Sequence, residues 1–219
     1  MNIHVVGEGD IGEKEVYRHW IPLVNPCLTY VAHISEITED NFSIISGGGD
    51  PNYLKIIDAA IDDVNTIGSI DRLVIAVDSG ELTYQEKYDE IIQHISNSPC
   101  RTEIRVVIQH FCLESWALGN QAAISPKPQC TKLREYLRLF DVRLNDPEML
   151  PPYHKEELNR EQFAKKYLKR ALNDKYRRLS YSKSNPQALL HPKYFKRVKK
   201  RFESTRHIQS FRNFLEAFI

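Results

Sequence analysis

The chain has 219 residues, 42% of them hydrophobic, and a formal net charge of +1. That is enough for one large domain or two small ones of ordinary soluble composition. No apolar stretch approaches the ~20 residues of a membrane span, and the first residues lack a basic-then-apolar signal pattern, so the expectation is a cytoplasmic protein without membrane attachment.

The near-neutral total hides a division. Residues 151–219 hold 18 Lys and Arg against 6 Asp and Glu, whereas residues 1–150 hold 12 against 23. An acidic front part is thus joined to a basic back part. Such asymmetry points to an acidic partner for the basic part, nucleic acid above all, although self-neutralisation between the halves would give the same numbers. The four cysteines, Cys27, Cys100, Cys112 and Cys130, form no CxxC unit and no zinc-ligand spacing, which leaves them as ordinary thiols.

Residues 3–6 read as a short buried strand. Val16, Trp20 and Leu23 then share a helical face, and Pro26 stands at or beyond that helix's end. Residues 28–34 and 42–45 are the next strand candidates. Ser46-Gly47-Gly48-Gly49-Asp50-Pro51 is the clearest loop. It lacks the Lys-Ser/Thr of a P-loop and the spacing of a dinucleotide fingerprint. A helix over 52–65 follows, with Leu54, Ile57, Ile61 and Val64 on its apolar face, and Gly68 breaks it. Residues 73–77 form a continuous apolar run, as in a central parallel strand. The pattern then gives a helix over 83–96, a strand over 104–108 and a short helix over 111–119. Such alternation predicts an α/β fold with a mostly parallel sheet flanked by helices. Residues 122–129 are irregular. Beyond them only helices are expected, over 130–140, 154–174, 192–202 and 205–218. The division is therefore 1–122 and 123–219.

Two apolar runs end in glycine-containing turns that carry carboxylates. They are Val5-Val6-Gly7-Glu8-Gly9-Asp10-Ile11-Gly12-Glu13 and Leu73-Val74-Ile75-Ala76-Val77-Asp78-Ser79-Gly80-Glu81. Ligands collect at the carboxyl ends of parallel strands. Sparse carboxylates there suit Mg2+, which binds through one or two of them and keeps several waters. Asp78 would equally serve as a helix N-cap, and Asp10 and Glu13 would favour a helix N-terminus.

This arrangement resembles the Toprim domain, the metal-binding unit of topoisomerases, primases and OLD-family nucleases. Glu8 matches the glutamate after the first strand, and Asp78 the first aspartate of the Asp-x-Asp step. The closer resemblance is to the small RloB-like and OLD-like defence-associated proteins. The turn Glu8-Gly9-Asp10-Ile11-Gly12-Glu13 and the segment Phe111-Cys112-Leu113-Glu114-Ser115-Trp116-Ala117-Leu118 carry it, over about residues 1–120. One position departs, since Gly80 stands where the second aspartate belongs. Glu81, one residue on, is a substitute.

The resemblance implies a Mg2+- or Mn2+-dependent nuclease of bacterial antiviral defence, working with an ABC-type ATPase partner. A homo-oligomer is compatible with it. It implies catalytic roles for Glu8, Asp78 and Glu114, and metal ligation by Glu8, Asp78, Glu81 and Glu13. The basic part mixes cations with aromatics, which suits phosphate contacts and base stacking on RNA or DNA. Its candidate contacts are Lys165, Lys166, Lys169, Arg170, Arg177, Arg178, Lys196, Arg197, Lys199, Lys200 and Arg201. The alternatives are a nucleic-acid-binding or sensor subunit with a degenerate site, and a phosphotransfer enzyme acting on a nucleotide or small phosphate ester.

Overall fold

The computed structural model describes residues 1–9, 11–49, 51–176 and 181–219. Asp10, Arg177 and Arg178, singled out above, lie outside the described residues. The front part alternates strand and helix: β1 (Ile3–Gly7), α1 (Ile11–Val24), β2 (Thr29–Tyr30), β3 (Asn41–Ser46), α2 (Asn52–Ile67), β4 (Arg72–Asp78), α3 (Tyr84–Ile95), β5 (Glu103–Gln109) and α4 (Leu113–Leu118). The strands form one all-parallel sheet in the order β2-β3-β1-β4-β5. β1 and β4 are neighbours at its centre. Both are buried along their centre because both of their faces are covered: β4 reads as an unbroken apolar run over 73–77, and β1 as apolar but for the buried His4. The expected α/β fold is thus present.

Side chains alternate across the sheet, which divides the core in two. On one side, Val6, Ile75 and Val77 meet Ile57, Ile61 and Val64 of α2 and Ile91 of α3. On the other, Ile3, Val5, Val74 and Ala76 meet Val16 and Trp20 of α1. This second core continues into the C-terminal helices α5 (Thr131–Leu139), α6 (Arg160–Lys175), α7 (Gln187–Leu190), α8 (Pro192–Ser204) and α9 (Phe211–Ala217). Trp20 packs edge-on against Phe195, Phe211 and Phe214, and its indole N–H donates to the Leu189 carbonyl at 2.9 Å. The Trp116 indole reaches Ser210 Oγ at 2.7 Å. The basic segment is therefore a helical layer closed onto the sheet through one shared aromatic core.

Several boundaries differ from the sequence reading for local reasons. The expected strand over 28–34 shortens to Thr29–Tyr30, because Glu36 folds back to accept from the backbone N–H of Ala32 and His33 and turns the chain. The helix expected from 154 begins at Arg160. Asn159 and Gln162 form a reciprocal capping box there that fixes the start. The last helix begins at Phe211 rather than 205, after Ile208 turns with a φ of 48°. Among the described residues, no helix is long and apolar enough to cross a membrane.

Candidate functional site

The carboxyl ends of β1, β4 and β5 lie side by side, and the polar residues that close these strands meet there. Glu8 continues β1 by one residue, its N–H donating to the Ala76 carbonyl at 2.9 Å. Its carboxylate accepts from the Asp78 backbone N–H at 3.1 Å, which ties the ends of β1 and β4 together. Gly80 follows with φ of 56°, a conformation that disfavours the aspartate the motif would place there.

Glu13, in the first turn of α1, folds back toward β1. It accepts from Gly9 N–H at 3.0 Å and from Gln109 Nε2 at 2.7 Å. Gly9 leaves room for this, since a Cβ there would stand 2.1 Å from Glu13 Oε2. Burial, with the nearby Glu8 charge, pushes the Glu13 carboxyl up to about 7, against the pull of Gln109 and Lys183. Asp78 is pushed well above the carboxylate range by burial first, then by Glu13 and Glu8, with Glu114 adding to them. Lys183 opposes that shift. Asp78 Oδ1 is buried and has no hydrogen-bond partner among the described residues. An acceptor left that way costs roughly 1–3 kcal/mol.

Glu114 of α4 is 2% exposed, and the Tyr181 hydroxyl donates to its Oε1 at 2.8 Å. Glu13, Asp78, Glu114, Tyr181 and Lys183 line a common cavity of about 30 Å³. That is room for a water or an ion, not for a nucleotide. The Lys183 backbone closes one wall against Gly12, where a Cβ would fall 1.5 Å from the Lys183 carbonyl oxygen. Lys183 Nζ stands 3.6 Å from Glu161 Oε1, and Lys165 pairs with the same carboxylate. Burial and the neighbouring Lys183 charge lower the Lys165 pKa. Burial also works against the charge of Lys183, but the Asp78 and Glu114 carboxylates favour it and hold its pKa up.

The structure thus brings Glu8, Glu13, Asp78 and Glu114 together. It does not bring Glu81. That carboxylate accepts from Arg160 N–H at 3.1 Å and faces the Arg160 guanidinium at 3.7 Å, at the start of α6. It does not line the cavity. Gln109, Lys183 and Tyr181 join the site without having been assigned to it from sequence. Gln109 carried a readable signal, a polar residue closing an apolar strand like Glu8 and Asp78. Lys183 and Tyr181 arrive from a distant loop and carried none.

Among the described residues, no three His, Cys, Asp or Glu side chains already converge as metal ligands. The donor chemistry nevertheless fits a hard cation. The oxygens are carboxylates that repel one another, and one buried oxygen has no partner. Mg2+ needs only one or two such ligands beside its waters.

The basic layer divides in two. Lys169, Arg170, Lys196, Arg197 and Lys200 are exposed. Lys166 pairs with Glu156 at 3.3 Å and Lys199 with Glu203 at 3.8 Å, both on the surface. Arg201, read from sequence as a nucleic-acid contact, is buried at 2% exposure. It donates to the carbonyls of Arg143, Val142 and Asn145 and to His207 Nδ1. It is a structural tie, because α8 turns its Tyr194, Phe195, Val198 and Arg201 face into the core. The interleaved aromatics correct in the same way: Tyr167, Tyr181, Tyr194 and Phe195 are buried and offer no stacking surface. All four cysteines are free thiols.

No family model, curated protein or solved structure matches this chain.

Proposed function

We propose that the chain is a metal-dependent endonuclease that cleaves phosphodiester bonds in RNA or DNA. The observation that carries this reading is the buried Asp78 carboxyl. It has an unpartnered oxygen and stands among Glu8, Glu13 and Glu114 at adjacent parallel strand ends, with Lys183 beside it. Asp78, with Glu13 or Glu8, would hold Mg2+ or Mn2+. When bound, such an ion polarises a phosphate oxygen and lowers the pKa of its water. Glu8 fixes the Asp78 backbone through its hydrogen bond. Tyr181 orients Glu114. Glu13, held by Gly9 N–H and Gln109, is the second carboxylate that lines the cavity beside Asp78. Lys183 and Lys165 reduce the repulsion between a polyphosphate and this acidic cluster, and the exposed lysines and arginines of α6 and α8 extend the positive surface.

The defence setting, the cytoplasmic location and the ABC-type ATPase partner rest on the Toprim resemblance alone. A second reading, a nucleic-acid-binding or sensor subunit with a degenerate site, is favoured by two observations. Gly80 replaces an expected carboxylate, and Glu81 is engaged by Arg160.

Incubation with total tRNA, single-stranded DNA and plasmid DNA, with Mg2+ or Mn2+, tests the first reading. Cleavage should require the metal and be lost in Glu8→Ala. Cleavage that survives both Glu8→Ala and Asp78→Ala overturns it. Salt-sensitive binding without cleavage on any substrate supports the second reading.

A further inference from the structure

A separate pocket of about 300 Å³ opens beside α8, lined by Asn120, Tyr176, His191, Lys193, Tyr194 and Arg197, among others. Its volume is at the lower end of the range for small-molecule sites, ~300–1,000 Å³. Among the described residues, no acidic one lines it. Lys193 and Arg197 are exposed and have no ion pair among the described residues. His191 caps α8, its Nδ1 accepting from Lys193 N–H at 3.1 Å. The wall is therefore positive and uncompensated.

The second feature is Asn120, just beyond the end of α4. It is 2% exposed and lines the pocket beside Tyr194, whose hydroxyl donates to the Ala117 carbonyl at 2.8 Å. Its Oδ1 is buried and has no donor among the described residues. A buried amide oxygen is rarely left without a partner. A simple anion would satisfy Lys193 and Arg197 but would offer Asn120 nothing. The ligand that fits carries negative charge at one end and an N–H donor at the other, with a flat face for the half-buried Tyr176 ring.

We propose that this pocket binds a phosphate-bearing nucleotide, either free or as one unit of a strand. Its phosphate lies against Lys193 and Arg197, and an N–H of its base donates to Asn120 Oδ1. Nucleobases supply both the donor edge and the ring to stack. The pocket adjoins the carboxylate cavity across the start of α7, since Pro186 lines one and Ala188 the other. A nucleotide here would be held close to the carboxylate site, yet the inference does not depend on cleavage or metal.

Calorimetric titration of the whole chain with AMP, GMP, CMP and UMP tests it. The controls are the matching nucleosides and inorganic phosphate, with a short labelled single strand in parallel. At least one mononucleotide, or the strand, should bind. A mononucleotide should exceed its nucleoside and free phosphate by about tenfold or more, as a charge-assisted contact allows. Lys193→Ala with Arg197→Ala should weaken binding by about tenfold or more. Lys55→Ala with Arg101→Ala, exposed and outside the helical layer, should change it by less than about threefold. Asn120→Ala, checked for folding by circular dichroism, should alter the ranking of the bases. Where it fails to fold, the exposed Lys193 and Arg197 pair decides. Binding of the strand alone, with the larger loss at Lys193 and Arg197, assigns the site to a strand unit. Equal losses for the two double variants, or no binding by any probe at millimolar concentration, overturn the proposal.

Discussion

Two carboxylic acids are buried far from one another in the chain, and their surroundings differ in one respect. Glu148 lies in a short 3-10 turn, Pro147–Met149, under the start of α9. It accepts from Ser210 N–H at 3.2 Å and from the Ser210 hydroxyl, which in turn accepts from the Trp116 indole and from His110 N–H. Asp78 is half-buried as a residue, but its Oδ1 is fully enclosed and has no partner among the described residues, and its neighbours are other carboxylates. Both acids are shifted upward, so the direction of the shift does not separate them. Satisfaction does. Glu148 closes a network that fastens α9 to α4, whereas Asp78 retains an unmet need at a strand end. A buried acid with its bonds filled reads as architecture, and one left wanting a cation or donor reads as a site.

The largest effect expected from breaking this contrast is at Asp78. Asp78→Asn keeps the shape, removes the charge, and should lower metal-dependent cleavage by at least ~10²-fold. Melting temperature without divalent cations should hold or rise, because the repulsion between Asp78 and the Glu8, Glu13 and Glu114 carboxylates is removed. Addition of Mg2+ should raise the melting temperature of the unaltered chain and not that of the variant. A melting temperature that falls by many degrees in Asp78→Asn would place Asp78 with Glu148 as architecture. Gly12→Ala is next. Its Cβ would displace the Lys183 carbonyl, and a shift of about an ångström in a site group costs up to ~10²-fold in rate. Cleavage by Gly12→Ala at the unaltered rate would show that the Lys183 wall does not shape the site.

The same contrast explains what could be read from the sequence. β4 was legible because an unbroken apolar run marks a central parallel strand, and β1 because Ile3, Val5 and Val6 leave only His4 polar. Glu8 and Asp78 were legible as carboxylates placed where such runs stop. The helical layer was legible as helices, but not as charge. Its amphipathic spacing fixes which residues face inward only once the partner surface is known. Hence Arg201, in the run Lys199-Lys200-Arg201, looks like its neighbours in sequence and instead turns inward to three carbonyls. Glu81 is a similar case. Proximity to Asp78 in sequence made it a substitute ligand, yet the turn at Gly80 carries it toward Arg160, 79 residues away. Lys183 and Tyr181 reach the site through long-range closure, which one-dimensional spacing does not encode.

The smallest effect, and the one that tests Glu148 directly, is on the pH dependence of stability. Burial raises its carboxyl from an ordinary 4.5 to about 7, while the Ser210 donors pull the other way. Below 4.5 the group is protonated in both folded and unfolded chains and nothing is lost. Between 4.5 and 7 the unfolded chain ionises and the folded chain resists. Above 7 both are ionised, and the folded chain bears the full cost of a buried charge. Stability should therefore fall as pH rises through that window, by up to about 3 kcal/mol from this group. Glu148→Gln removes the titration and should flatten that segment of the curve, measured by urea unfolding from pH 4.5 to 8. It should leave metal-dependent cleavage within about threefold of the unaltered chain, since Ser210 still has an acceptor to bind. A curve unchanged by Glu148→Gln would mean that Glu148 titrates normally. The filled network around Ser210 would then outweigh its burial.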